Sequence, residues 1–305
     1  CVGDPDTRFT EDALRILRGL RFASRLGFSI APETAAAMER NKNLLSYVSG
    51  ERIYKELTGI LIGTYAQSVL EQYGGVLAAV LPEIQPSMGF LQRNPFHNRD
   101  VWQHTLEALG KSGPDPIVRW ALLLHDLGKP DCFTLDDRGI GHFYGHPQRS
   151  MELAEQILDR FHGDKKTRDT ICLLVRDHDR EAPATIKNAR RWIARYGRDN
   201  VRLLLEVKRC DCLAHVDTLK TRARYNNLME MTRLIRECLE TEQCFSVRDL
   251  PVKGGDVMAL GVPAGPQVGR ILEGLLDGVL DGTCPPEREA LLERLKQIIN
   301  ERKEP

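Results

Sequence analysis

His125 and Asp126 close the apolar helical run Leu122-Leu123-Leu124. An ionisable doublet in such a place is expensive to bury unless it is paired or bound to a metal. Imidazole and carboxylate together suit a divalent transition metal. The same side-chain types recur along the chain: His104 in Trp102-Gln103-His104-Thr105-Leu106, then His142, His146 after Tyr144-Gly145, His178 after Arg176-Asp177, and Asp211 after Arg209-Cys210. Any one of these histidines taken singly reads better as an ordinary core or surface residue. The order H…HD…H…H…D is harder to read that way. Lys129, one turn past His125, could steady a phosphate or simply end the helix.

A second chemistry lies near the start. Asp12 and Arg15 are three apart, so on a helix they share a face. A carboxylate accepts and a guanidinium donates in a planar fork, which together make an edge with an acceptor beside donors. Cytosine and adenine each present an amino donor next to a ring acceptor and fit that edge. Guanine and uracil present a carbonyl oxygen and a ring N–H instead, and each mismatch costs roughly 1–3 kcal/mol. Arg18 and Arg21 follow at further three-residue steps and could hold phosphate oxygens. The plainer reading of the same spacing is a solvated helix salt bridge.

The elements that must position these groups read as helices almost throughout. Leu14, Leu17, Leu20 and Leu26 recur at helical spacing, which predicts one helix over 11–26 with Thr10 as N-cap and Gly27 as its stop. Pro32-Glu33-Thr34 opens a second helix, and a third runs from Ser49 to Leu61. A helical block from about Asp100 to 224 carries the histidines, with Asp136-Asp137-Arg138-Gly139 as a turn. A last block follows from Tyr225, with Gly-rich turns at Gly254-Gly255 and at Gly261 to Pro266. Strand-like alternation is scarce, so the expected class is all-α.

Composition narrows the field. Apolar residues make up 42% and charged residues 28%, enough for a buried core and too ordered a balance for a disordered chain. Lys+Arg and Asp+Glu are equal at 43, which excludes a globally basic nucleic-acid coat. No stretch approaches the roughly 18 apolar residues that a membrane helix needs. With no signal-peptide pattern and eight Cys that form no CxxC, the expectation is a cytoplasmic protein with reduced thiols. Local charge is less even: from Lys187 to Arg224 eleven basic residues face four acids, with Trp192 and Tyr196 among them to stack or to pack. Phosphate binding is one reading of this stretch and a solvated face the other. The chain opens on Cys1 rather than Met, as the downstream part of a longer protein would.

The run Arg8-Phe9-Thr10-Glu11-Asp12-Ala13-Leu14-Arg15-Ile16-Leu17-Arg18, with Arg21 and then Leu26-Gly27-Phe28, resembles the EDxxR nucleotide-selecting motif of class II CCA-adding tRNA nucleotidyltransferases. Glu51-Arg52-Ile53 with Glu56-Leu57 resembles the ERIxxEL motif that closes the neck of that family. The resemblance implies that Asp12 and Arg15 read the base of CTP or ATP, that Arg18 and Arg21 contact the nucleotide, and that Glu11 braces the arginines. It also implies a preceding catalytic head, a small sheet domain with a Gly-Ser turn and a DxD carboxylate pair that holds Mg²⁺. Asp4 and Asp6 spell DxD but lack the Gly-Ser turn, and they are not read as ligands. These residues alone are therefore expected not to add nucleotides.

The histidine block resembles the HD phosphohydrolase superfamily, specifically the HD domain that some bacterial CCA-adding enzymes carry after the neck. The lead-in Phe96-His97-Asn98-Arg99-Asp100-Val101 resembles that subgroup too. By this resemblance His104, His125, Asp126 and Asp211 are core ligands of a divalent metal (Mn, Ni, Fe or Mg), and His146 and His178 complete a second position. A metal there would activate water and polarise a phosphoryl oxygen, as hydrolysis of a phosphate ester requires. His97 and His142 are left as structural. The final block resembles the tRNA-binding tail of the same enzymes. The implied order is neck 1–62, connector helices 63–95, HD domain 96–224 and tail 225–305, with tRNA, CTP and ATP as partners and neither DNA nor membrane. A stand-alone HD phosphohydrolase, a non-catalytic tRNA-binding module and a poly(A) polymerase of the same superfamily are the rival readings.

Overall fold

The computed structural model describes residues 3–301, so Cys1 lies outside the described residues. The fold is all-α. Its only strands among the described residues are β1 (Thr134–Leu135) and β2 (Gly141–His142), an antiparallel pair with Thr134 opposite His142. The expected turn joins them: Asp136 Oδ1 accepts from the N–H groups of Arg138 and Ile140, and Gly139 takes a φ of 74° that favours glycine.

Two compact units emerge. The first comprises residues 3–180 with 203–225, and the second 181–202 with 226–301. The first contains α1 (Pro5–Glu11), α2 (Leu14–Leu26), α3 (Pro32–Asn41), α4 (Gly50–Leu61), α5 (Ala66–Leu77), α6 (Val101–Gly110), α7 (Pro116–Leu124), α8 (His146–Arg160) and α9 (Lys165–Asp177). Helices α10 (Ile186–Ala214) and α11 (Leu219–Thr241) supply residues to both units, and α12 (Gly254–Ala259), α13 (Pro266–Leu280) and α14 (Arg288–Glu301) belong to the second.

The first helix departs from its predicted course. The backbone is extended at Asp12 (φ −151°, ψ 99°), which divides the expected single helix into α1 and α2. The Asp12 carboxylate accepts from Leu14 N at 3.2 Å, a local bond that competes with helix continuation. Thr10 consequently sits inside α1, and the cap is Asp4, whose side chain accepts from Thr7 N at 2.8 Å. Asp6 accepts from Arg40 and Asn41 at 2.6 Å each. Both residues of the DxD spelling thus serve the fold.

Helix α2 buries Leu14, Ile16, Leu17, Leu20 and Ala23, and α4 buries Ile53, Leu57, Ile60 and Leu61. Each of these leucine and isoleucine side chains removed from water contributes about 1.5–3 kcal/mol. The two approach closely because Gly63 faces Ser24: a Cβ on Gly63 would lie 2.1 Å from Ser24 Oγ. Ser24 Oγ can therefore donate to Ile60 O at 2.6 Å. Helix α4 is tied in turn to α7, where Tyr54 stacks on Trp120 at 5.1 Å and Trp120 Nε1 donates to Thr58 Oγ1. Beside it the buried Arg119 guanidinium donates to the carbonyls of Leu61, Ser112 and Gly113 at 2.8–2.9 Å.

The second unit has its own core of Leu250, Val252, Val257, Ile271, Leu275, Leu291 and Leu295. The Gly254-Gly255 turn opens α12, but its first N–H group, on Lys253, already donates to the Asp256 carboxylate at 2.7 Å. That carboxylate also pairs with Arg288. An internal anion thus occupies this turn.

Candidate functional site

Three helix ends and two helix interiors bring together the six residues expected to bind metal. His104 lies within α6, and Asp211 in the part of α10 that belongs to the first unit. His125 and His178 follow the last residues of α7 and α9, and His146 begins α8. Asp126, 1% exposed, stands at the centre. Its Oδ1 is 3.3 Å from His146 Nε2 and 3.8 Å from His178 Nε2. Its Oδ2 is 3.2 Å from His125 Nε2 and 3.6 Å from His104 Nε2. Asp211 Oδ1 closes the ring, 3.0 Å from His104 Nε2 and 3.7 Å from His125 Nε2.

The local backbone fixes the tautomers. His125, His146 and His178 each donate Nδ1–H to the carbonyl three residues earlier, on Leu122, Phe143 and Val175, at 2.6–2.9 Å. A carbonyl only accepts, so each Nε2 is the free end and points at Asp126. Orientation of this kind is the usual support of metal-ligating histidine. His125 Nε2 and Asp126 Oδ2 are buried without an aligned hydrogen bond, the state of a donor set whose partner is a cation. The donors therefore fit a divalent metal.

Electrostatics follow from that crowding. Burial raises Asp126, but the charges of His125 and Lys129 outweigh it and hold the carboxyl well below its ordinary value. Burial likewise opposes ionisation of Asp211, and His215 and His104 more than offset it. His104 is pushed down to about 4 by burial, against the hydrogen bond it donates to Asp211. His178 falls to about 3 through burial and the neighbouring His125 and His146. In His125 burial is overcome by Asp126 and Asp211, and the ring rises to about 10.

Lys129 is 5% exposed rather than presented to solvent. Its ammonium lies 2.7 Å from Asp126 Oδ2 and donates to Gln92 Oε1 at 2.9 Å. Gln92, 1% exposed in the loop before α6, carried no signal in the sequence. His142 stays outside the cluster, stacked on Tyr144 and 3.2 Å from Asp136. His97 and His215, by contrast, pack edge-on against His104, with ring centroids 4.8 and 5.0 Å away.

The neck residues form a separate polar seam. Glu11 pairs with Arg8 at 2.9 Å and with Arg15 at 2.6 Å. Asp12 meets Arg15 through the backbone, Arg15 N donating to Asp12 O at 3.1 Å, while its carboxylate is 3.5 Å from Arg52 and 3.7 Å from Arg18. Glu56, 4% exposed, lies 3.0 Å from Arg21 and 3.7 Å from Arg18. Neither Asp12 nor Arg15 points into the apolar interior: their side chains are 28% and 41% exposed. Arg52 and Glu56 were visible in sequence only as part of the second neck motif.

The basic stretch is largely committed within each unit. In the first, Lys208 is buried, Arg209 pairs with Glu206, Arg222 with Asp217 and Arg224 with Asp179. In the second, Arg190 pairs with Glu242 and Arg191 with Asp281. Trp192 and Tyr196 are buried and pack on each other at 5.8 Å. Among the described residues no helix is long and apolar enough to cross a membrane.

Two family profiles match the chain: "Probable RNA and SrmB- binding site of polymerase A" over residues 27–88, and "tRNA nucleotidyltransferase domain 2" over residues 151–295. An A-adding tRNA nucleotidyltransferase of Deinococcus radiodurans is 32% identical over 93% of this chain and 68% of its own. A CC-adding tRNA nucleotidyltransferase of Thermus thermophilus is 31% identical over 92% of this chain and 65% of its own. The crystal structure of the Bacillus stearothermophilus CCA-adding enzyme with CTP shares the fold over 99% of this chain and 65% of its own, with a TM-score of 0.64 at 22% identity. The chain thus spans about two thirds of the length of these relatives. Identity at this level across nearly all of the described neck, histidine block and final unit makes this chain a member of the CCA-adding tRNA nucleotidyltransferase family.

Proposed function

We propose that this chain works in the completion of tRNA 3′ ends from CTP and ATP, supplying base choice and tRNA contacts to a nucleotidyl-transfer head. The observation that carries this reading is the seam between α2 and α4. Glu56 and Glu11 hold Arg21, Arg18 and Arg15 from one side, while Arg52 holds Asp12 from the other. Arginines so fixed lose less side-chain freedom when a nucleotide arrives. Asp12 and Arg15, anchored separately and partly exposed, would complete the acceptor-and-donor edge once a base lies between them. Relatives named for adding A and for adding C and C are both similar to this chain, in keeping with an edge that takes either base.

In an enzyme carrying these residues together with its head, Asp12→Ala and Arg15→Ala should each lower CTP and ATP incorporation at least tenfold while leaving GTP and UTP unchanged. Equal losses with all four nucleotides would remove the base-reading role.

The six-residue cluster favours a second activity beside it: binding of a divalent metal (Mn, Ni, Fe or Mg) and hydrolysis of a phosphate ester such as a 2′,3′-cyclic phosphate. His104, His125, Asp126 and Asp211 would hold one ion, with His146 and His178 completing a second position through Asp126. When bound, such an ion supplies an acidified water and polarises a phosphoryl oxygen. The protein's part is to aim the Nε2 atoms at the two carboxylates, exclude bulk water and hold Asp126 ionised through Lys129. Phosphate release that needs added Mn²⁺ and disappears in Asp126→Asn would support this; release that is unaffected by the substitution would refute it.

A further inference from the structure

His97, His104 and His215 converge from three places: the loop before α6, the interior of α6, and the residue following α10. One ring nitrogen of each lies within 4.8 Å of the other two. Proton accounting shows what those nitrogens are. Asn94 Oδ1 accepts from Phe96 N–H at 3.1 Å, so it is an oxygen, and His97 Nδ1 at 2.8 Å must be its second donor. His97 Nε2 is then a bare lone pair, and it is buried with no hydrogen-bond partner. His215 Nδ1 donates to the backbone carbonyl of Asp211 at 2.8 Å, which leaves its Nε2 bare too. His104 Nε2 donates to Asp211 Oδ1 at 3.0 Å, and its Nδ1, in a side chain only 1% exposed, has no partner.

Each of the three imidazoles thus keeps one nitrogen without a proton, and two of these, His97 Nε2 and His104 Nδ1, are buried with no hydrogen-bond partner. Buried acceptors with no donor are costly unless a cation satisfies them. We propose that His97, His104 and His215 form an all-imidazole site for a borderline divalent ion such as Zn²⁺ or Co²⁺, distinct from the carboxylate-centred cluster at Asp126. Three neutral nitrogens with an open fourth position are a known zinc donor set. The lack of a carboxylate among the three donors sets this site apart from Mn²⁺- or Mg²⁺-type chemistry. The loops that carry His97 and His215 are already joined, since Val216 N donates to Phe96 O at 2.9 Å. His104 is shared through its two ring nitrogens, so an ion on Nδ1 leaves Nε2–H on Asp211 and competes with a ligand role for Nε2. The proposal does not rest on any metal at Asp126.

Titration of the full chain with Co²⁺ alone tests it, read by visible absorption and by metal content after dialysis. The parent should bind one Co²⁺ more than His97→Gln and one more than His215→Gln, whereas Asp126→Asn should retain that ion. Copper offers a second reading: the Cu²⁺-loaded parent should show electron-spin coupling to at least three nitrogens, reduced in each Gln variant that keeps its far-ultraviolet dichroism. Equal metal content and spectra in the parent and both Gln variants would overturn the site. So would an ion lost with Asp126→Asn but kept without His97.

Discussion

The Lys129 ammonium sits 2.7 Å from Oδ2 of Asp126, inside the cluster where a metal is proposed to bind. Both side chains are almost wholly buried. The lysine thus supplies positive charge to a carboxylate that would otherwise face only imidazoles. Lys129→Met leaves that carboxylate short of its cation, and without metal the variant should lose about 3–5 kcal/mol of stability. Added Mn²⁺ should then raise the melting temperature more in the variant than in the parent. An equal rise in both would show that the lysine does not stand in for a cation.

Glu56 tests the neck. Its Oε2 is 3.0 Å from Arg21 Nε, an ion pair without hydrogen-bond alignment, so the attraction is mainly one of charge. Glu56→Gln keeps the shape and removes the charge next to two arginines. Urea unfolding should show a loss of roughly 1–3 kcal/mol. A midpoint identical to that of the parent would make Glu56 a spectator in the α2–α4 contact.

Arg119 offers a purely structural test. It satisfies three backbone carbonyls, on Leu61, Ser112 and Gly113, from a largely buried position. Arg119→Met strands all three and should cost at least about 3 kcal/mol. Arg119→Lys should recover only part of this, because an ammonium lacks the planar fork. Full recovery by lysine would mean that charge alone, not the three-way geometry, is what matters.

Lys208 gives a pH dependence. Burial, with Arg224 nearby, lowers it from 10.5 to about 8. Its ammonium donates to the carbonyls of His178 and Arg180 at 2.6 and 2.7 Å. Between about pH 8 and 10.5 the unfolded chain holds a proton that the folded chain has released. Folding stability attributable to this group therefore rises with pH in that window, by up to about 1.4 kcal/mol per unit. Below it both states are charged and the penalty is constant. The parent should gain stability relative to Lys208→Met between pH 8 and 10 in urea titrations. Parallel pH profiles would show that Lys208 titrates normally.

The sequence alone determined the helical class, because leucines at helical spacing demand a buried stripe wherever the helices pack. It also carried both chemical motifs, since Asp12 to Arg21 are local in the chain and the H…HD…H…H…D order survives any folding. What it misjudged was local competition: Asp12 bonding to Leu14 N breaks a helix that periodicity alone would continue. It also could not show that the basic run around 187–224 is divided between two units and largely paired, or that Trp192 and Tyr196 are buried. Local partners set the tautomers, since His97 meets Asn94 and His215 meets the Asp211 carbonyl within four residues. Only the tertiary structure decided which rings meet, because His97 and His215 come together beside His104 from loops more than a hundred residues apart in the chain.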